Sequence, residues 1–258
     1  MEAIHRYGIR LTKDLGQHFL VNERIIERQI EAANLTKRDV VLEIGPGVGT
    51  LTKHIAERAG RVIAVETDAR LCNVLPEIMK DYNNFELIEG DALKVSFPKF
   101  NKIVSNLPYQ ISSDITFKFL EYDFESAVLM YQKEFARRMV AKPGTEDYSR
   151  LSVGVYYKAD CKVLFNVAKG AYYPPPKVDS SVVLLKPLKA PRFKVKSEKT
   201  FHKVTDLLFQ HRRKMVRASL RMEWPDKIED ARLSKYLEKR PEVLTPEEIG
   251  EISDALVS

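Results

Sequence analysis

The chain has 258 residues, 44% of them hydrophobic, a net charge of +6 and a pI near 9.1. That is enough apolar material for one large domain, or a large one with a small companion, and no run approaches the ~20 apolar residues of a membrane span. The first residues lack a signal-peptide core, and Cys72 and Cys161 fit neither a disulfide framework nor a metal-binding spacing, so a cytoplasmic protein is expected, with no metal.

Arg6, Arg10 and Lys13 mark residues 1–12 and their border as a basic arm. Asn22 is a good N-cap for a helix carrying Ile25, Ile26, Ile30 and Ala33 at helical spacing. Residues 40–44 read as a strand, followed by Gly45-Pro46-Gly47-Val48-Gly49 and a helix with Leu51, Ile55 and Ala59 on one face. A second strand, 62–65, ends on Glu66; the next helix runs through Leu71, Val74 and Leu75, where Pro76 bends or ends it. A third strand, 85–88, is closed by Gly90-Asp91-Ala92, and a fourth, 102–105, leads into Asn106-Leu107-Pro108-Tyr109. Helices around 115–120, 135–140 and 151–157, a strand at 127–131 and a closing strand pair, 163–167 and 181–185, complete the pattern.

Alternating helices and near-continuous apolar strands predict an α/β, Rossmann-like domain with a mostly parallel, doubly wound sheet, spanning 1–188. After Lys186-Pro187-Leu188-Lys189-Ala190-Pro191 the pattern is helical only, which predicts a small all-α domain over 189–258. Its last helix begins at Thr245-Pro246-Glu247-Glu248, with an N-cap, proline at N1 and glutamate at N3.

Glycine spacing narrows the ligand of the larger domain. Glu43-Ile44-Gly45-Pro46-Gly47-Val48-Gly49 contains Gly-x-Gly-x-Gly, not the Gly-x-Gly-x-x-Gly of a dinucleotide site, and no Gly-Lys-Ser/Thr of a phosphate loop occurs. Gly45 and Gly47 let the backbone approach a ligand closely. Glu66, ending the second strand, can accept from both hydroxyls of a ribose. Asp91, ending the third, can receive the amine of an adenine. Polar groups at three strand ends, with no means of holding phosphates, suit S-adenosylmethionine. Each acidic residue on its own would be an ordinary strand-end residue.

Asn106-Leu107-Pro108-Tyr109 stands at the carboxyl end of the fourth strand, the edge where open α/β sheets bind ligands. A side-chain amide, a free carbonyl and an aromatic face can hold a planar base that carries an exocyclic amine. The same four residues would also make a plain turn. The basic charge has a place too: between Lys189 and Arg221 stand eleven Lys and Arg against only Glu198 and Asp206. Such a concentration is the footprint of a nucleic-acid binder.

With Leu15-Gly16-Gln17-His18-Phe19-Leu20, Tyr172-Tyr173-Pro174-Pro175-Pro176-Lys177-Val178-Asp179-Ser180 and Gln210-His211-Arg212-Arg213-Lys214, these motifs resemble the KsgA-type ribosomal RNA adenine dimethyltransferases over nearly the whole chain. The resemblance implies that S-adenosylmethionine dimethylates N6 of two adjacent adenosines in a hairpin near the 3′ end of small-subunit ribosomal RNA, within a pre-assembled subunit. It implies donor contacts at His18, Leu20, Gly45, Gly47, Glu66, Asp91, Ala92 and Asn106, and RNA contacts at Arg212, Arg213, Lys214 and Arg217. The adenine amine would meet Asn106 and the Pro108 carbonyl, with its base stacked between Tyr109 and Tyr172. Histidine at 18, where bacterial members carry asparagine, and the short carboxyl-terminal domain point to an archaeal-like member, expected to act as a monomer. The alternatives are a large-subunit ribosomal RNA methyltransferase of the antibiotic-resistance type and an RNA-binding assembly or transcription factor on the same fold. A DNA adenine methyltransferase would more typically carry proline at 107.

Overall fold

The computed structural model describes residues 18–257, so the basic arm and Leu15-Gly16-Gln17 lie outside the described residues. A seven-stranded sheet forms from β2 (Val40–Ile44), β3 (Arg61–Glu66), β4 (Phe85–Glu89), β5 (Lys102–Asn106), β6 (Ser126–Gln132), β7 (Ala159–Val167) and β9 (Ser180–Pro187), in the order β4-β3-β2-β5-β6-β9-β7. The β2–β3, β2–β5, β3–β4 and β5–β6 pairs are parallel, and β9 runs antiparallel to β6. β1 (Phe19–Leu20) and β8 (Tyr172–Tyr173) make a separate antiparallel ribbon, with Leu20 opposite Tyr172.

Both faces of the central strands are covered. Val41, Val62, Val104 and Val128 pack with Ile26 and Ile30 of α1 (Glu23–Ala33) and Leu51 and Ile55 of α2 (Thr50–Arg58). The alternate residues Leu42, Ile63, Ile103 and Leu129 are equally buried, which is why these strands read as continuous apolar runs. Asn22 caps α1, its side chain accepting from the Ile25 N–H. Pro76 does not end α3 (Ala69–Ile78): the helix continues two residues past it, at the cost of the bond that an N–H at 76 would donate to the carbonyl of residue 72. α4 (Ser112–Phe119) follows β5, and α5 (Lys133–Met139) follows β6.

The chain divides into two compact units. One runs through Ala136 and resumes over Cys161–Pro187; the other is Arg137–Asp160 with Leu188 onward. The chain passes between the units after Ala136, after Asp160 and after Pro187, so residues 137–160 group with the second unit. Tyr148, with Val153 and Tyr157 of α6 (Arg150–Lys158), is buried in one apolar cluster with Phe201, Val204 and Leu208 of α7 (Glu198–Gln210). The same cluster takes Val216 and Leu220 of α8 (Val216–Leu220) and Ile249 and Ile252 of α9 (Pro246–Leu256). A helical period shows that α6 has an apolar face but not which neighbour covers it. Thr245 and Glu248 form the expected capping box at the start of α9.

Candidate active site at the carboxyl edge of the sheet

β2 and β5 are adjacent although β3 and β4 come between them in sequence, so chain order reverses at this pair. Their backbone pairing extends only to Leu42 opposite Ile103. Beyond it the fully buried Ser105 takes over: its Oγ donates to the Ile44 carbonyl at 2.7 Å and accepts from the Ile44 N–H at 3.3 Å. One hydroxyl therefore holds the strand ends while the backbones part. A crevice at such a reversal is where open α/β sheets take their ligands.

A cavity of about 160 Å³ opens there, with His18, Leu20, Glu43, Gly45, Gly47, Glu66, Thr67, Asn106, Pro108, Tyr109, Met130 and Tyr172 in its lining. Gly45 and Gly47 have φ of 67° and 61°, the left-handed region, so both need glycine. At Gly47 there is no room either: a Cβ would stand 2.6 Å from the Phe19 ring. Glu66 accepts from the Thr67 and Asp68 N–H groups at 2.9 Å each and from the Gly47 N–H at 3.4 Å, which fixes the carboxylate in the wall. Burial pushes its pKa up, against those three hydrogen bonds. Glu43 is 1% exposed; burial, with the Glu66 charge adding to it and the Thr52 hydroxyl opposing it, pushes the Glu43 carboxyl up to about 8. Its Oε2 has no hydrogen-bond partner.

Asn106 ends β5, and its buried Oδ1 also lacks a partner. Leu107, 3% exposed, lines the cavity together with Asn106, Pro108 and Tyr109. The Pro108 carbonyl accepts only a 3.3 Å bond from the Ile111 N–H, so it keeps acceptor capacity. The Tyr109 and Tyr172 hydroxyls both bond the Ser180 Oγ, at 2.7 Å and 2.8 Å, and the Tyr172 hydroxyl also meets the Met130 sulfur. Burial raises the Tyr172 pKa, so its phenol is neutral. The His18 Nδ1 lies 2.8 Å from the Pro174 carbonyl.

Of the expected site residues, His18, Leu20, Gly45, Gly47, Glu66, Asn106, Pro108, Tyr109 and Tyr172 thus meet around one cavity. Asp91 and Ala92 do not line it. The Asp91 carboxylate accepts from the Leu93 N–H at 2.9 Å and pairs at 3.4 Å with the exposed Lys94; chiefly that backbone bond holds its pKa below the ordinary carboxylate range. The unexpected lining residues that carry a carboxylate are Glu43 and Asp68, and Thr50, Thr67 and Met130 are among the others. Asp68 had a signal, since it caps α3, but no pattern told its cavity position from its capping role.

The cavity wall carries Glu43, Glu66 and Asp68 and, among the described residues, no lysine or arginine. Such a lining disfavours phosphates and suits a ligand that brings its own positive charge. Elsewhere, Glu23, Glu27 and His54 come within 4.8 Å of one another, a grouping their spacing did not show. They form a polar cluster: both His54 nitrogens lie near carboxylates, at 2.8 Å and 3.1 Å, and Arg58 pairs with Glu27 at 2.8 Å.

In the second unit the four expected RNA contacts divide into two kinds. Arg212 donates to Glu242 at 3.2 Å and to the carbonyls of Glu146 and Thr145 at 2.6 Å and 3.2 Å, and Arg217 pairs with Glu238 at 2.9 Å. Arg213 and Lys214 are exposed, with no ion pair among the described residues. No helix among the described residues is long and apolar enough to cross a membrane.

Residues 8–255 match the family described as ribosomal RNA adenine dimethylase. The chain belongs to that family. It is 51% identical to a "Probable ribosomal RNA small subunit methyltransferase A" of Thermococcus onnurineus, over 96% of this chain and 93% of the relative. A protein of the same name from Methanothermobacter thermautotrophicus is 48% identical, over 98% and 93%. Among solved structures, a dimethyladenosine transferase from Plasmodium falciparum superposes with a TM-score of 0.80 at 32% identity, covering 91% of this chain and 96% of that one. The 23S ribosomal RNA methyltransferase ErmE superposes with 0.70 at 30% identity, covering 92% and 99%. This member of the dimethylase family is therefore archaeal-like, with a Rossmann-like methyltransferase fold.

Proposed function

We propose that this dimethylase-family protein transfers methyl groups from S-adenosylmethionine to N6 of two adjacent adenosines in a hairpin near the 3′ end of small-subunit ribosomal RNA. The observation that carries this is the buried, unpartnered Oδ1 of Asn106, a residue lining a cavity whose charged lining is acidic. A buried acceptor without a donor costs roughly 1–3 kcal/mol, and an amine N–H supplied by a substrate removes that cost. The names carried by the archaeal relatives support the small subunit over the large one.

The cavity fits the donor: Gly45 and Gly47 admit close backbone approach, Glu66 keeps lone pairs for ribose hydroxyls, and carboxylates suit its cationic groups. His18, Leu20 and Asn106 complete the donor contacts. Asp91 and Ala92 would serve the adenine end; the present partner of Asp91 there is a lysine 84% exposed at 3.4 Å, a contact weak enough to exchange. When bound, the donor supplies a sulfonium methyl already activated toward nucleophiles, and no metal is needed.

Asn106 and the Pro108 carbonyl accept from the adenine amine, which favours a pyramidal nitrogen with an available lone pair. Tyr109 and Tyr172 stack on the flipped base, a contribution of ~1–3 kcal/mol per base. Holding the amine in line with the methyl is the main catalytic task. Arg213 and Lys214 contact RNA backbone, and Arg212 and Arg217 support the surface that presents them. The protein acts as a cytoplasmic monomer on a partly assembled subunit.

The test offers labelled S-adenosylmethionine with immature small subunits, mature small subunits, large-subunit RNA and DNA. Dimethyladenosine formed on immature small subunits alone is the expected result. Labelling of large-subunit RNA would favour the antibiotic-resistance type, and no labelling anywhere would favour a binding factor.

A further inference from the structure

Three elements meet at one oxygen beside the acceptor half of the cavity. Tyr109 follows β5, Tyr172 lies in β8 and Ser180 opens β9. Ser180 is fully buried, and its Oγ lies 2.7 Å from the Tyr109 hydroxyl and 2.8 Å from the Tyr172 hydroxyl. A serine hydroxyl has one proton and two acceptor sites, so it can serve both phenols together. Its position is fixed independently of either ring, because Ser180 pairs with Gln132 in the β6–β9 ladder. The Tyr172 oxygen has the Met130 sulfur as its other neighbour, a weak acceptor that cannot replace the serine.

We propose that Ser180 is a positioning residue that ties the two aromatic walls of the acceptor pocket to one fixed point, and that this tie governs the second methyl transfer more than the first. The inference rests on the adenine-dimethylation reading above. An unmethylated base can be gripped by walls that settle onto it. A monomethylated base must present its one remaining N–H to the same acceptors while its methyl group finds room, so the separation of the walls matters more. With the hydroxyl removed, both rings lose their common anchor and the buried Tyr172 phenol loses its good acceptor. The Tyr109 and Tyr172 rings remain to stack, so the first transfer continues.

The test measures monomethyl- and dimethyladenosine formed on immature small subunits at saturating donor by Ser180→Ala, Tyr172→Phe and the double variant, with donor affinity measured alongside. Losing one neutral hydrogen bond corresponds to roughly a 3–10-fold effect. For Ser180→Ala the second transfer should slow by about that factor more than the first, so that monomethyladenosine accumulates and donor affinity holds. Tyr172→Phe should shift the product ratio the same way by less, and should add little in the Ser180→Ala background. A wild-type product ratio in Ser180→Ala, or strictly additive effects of the two substitutions, would overturn the proposal. Should Ser180→Ala not fold, an unchanged ratio in Tyr172→Phe overturns it alone. A wild-type protein that makes no dimethyladenosine is a different outcome, and would remove the functional reading itself.

Discussion

Gly45 and Pro108 leave little room for a side chain between them: a Cβ built on Gly45 would stand 3.2 Å from the Pro108 Cγ. The first residue of the glycine turn thus supports the proline whose carbonyl faces the acceptor pocket. Donor side and acceptor side come close here, and their relative placement depends on Gly45 having no side chain.

Gly45→Ala should therefore do more harm to transfer than to folding. Alanine at a φ of 67° costs roughly 1–2 kcal/mol, and the added methyl presses on Pro108. We expect a denaturation midpoint lowered by that modest amount and a larger fall in turnover. The two are compared by chemical unfolding and by methyl incorporation at saturating donor.

Asn106→Ala removes the unpartnered Oδ1 while leaving Leu107 packed in the core. It should fold and retain donor binding, at most weakened, but lose methyl transfer by about 100-fold or more, as expected when a group that poses the reacting atom is deleted. Turnover near that of the unchanged protein would reject the amine-positioning role.

The buried Glu43 carboxyl, pushed to about 8 from an ordinary 4.5, makes stability depend on pH in a defined direction. The folded state holds a proton that the unfolded state releases, so this contribution is intact below about 4.5 and is lost as pH rises toward 8. Glu43→Gln mimics the protonated form, so its thermal midpoint should match the wild type near pH 4.5 and exceed it by a margin that widens up to pH 8. A cationic donor should also displace that proton, so calorimetry at neutral pH in buffers of different ionisation enthalpy should find proton release on binding, absent in Glu43→Gln.

The basic residues separate by role. Reversing charge at Arg213 and Lys214 together should weaken binding to RNA without changing donor affinity. The log–log salt dependence of binding should also become shallower, by about one for each phosphate these side chains neutralise. Arg212→Ala should instead lower thermal stability, since it removes the Glu242 pair and the bonds to the carbonyls of residues 145 and 146. Equal loss of donor affinity in the charge-reversed protein would contradict this division.

Where one periodicity decides an element, the sequence was enough: the parallel strands announced themselves as apolar runs because both faces are covered. The glycine turn, Glu66 and Asn106 were legible because each stands at a strand end, and strand ends share one edge of the sheet. Ser105 was not, since a serine inside an apolar run gives no sign that it will bridge the neighbouring strand where the ladder stops. Arg212 looked like Arg213 in a run of basic residues; only the fold brings Glu242, thirty positions away, against one and not the other. The ribbon of β1 and β8 joins two-residue segments more than 150 positions apart, too short and too distant for any local pattern. Asp91 followed the same strand-end logic as Glu66, yet its carboxylate satisfies its own loop.

Everything at the acceptor side turns on which atom receives the methyl group. Immature small subunits should be reacted with the protein and labelled donor, and the RNA digested and mapped by nucleoside mass spectrometry. We expect N6,N6-dimethyladenosine at two adjacent positions of the 3′ hairpin, and none with Asn106→Ala. Methyl groups on another atom of the base, or on the ribose, would contradict the assignment of Asn106 and Pro108 to the adenine amine.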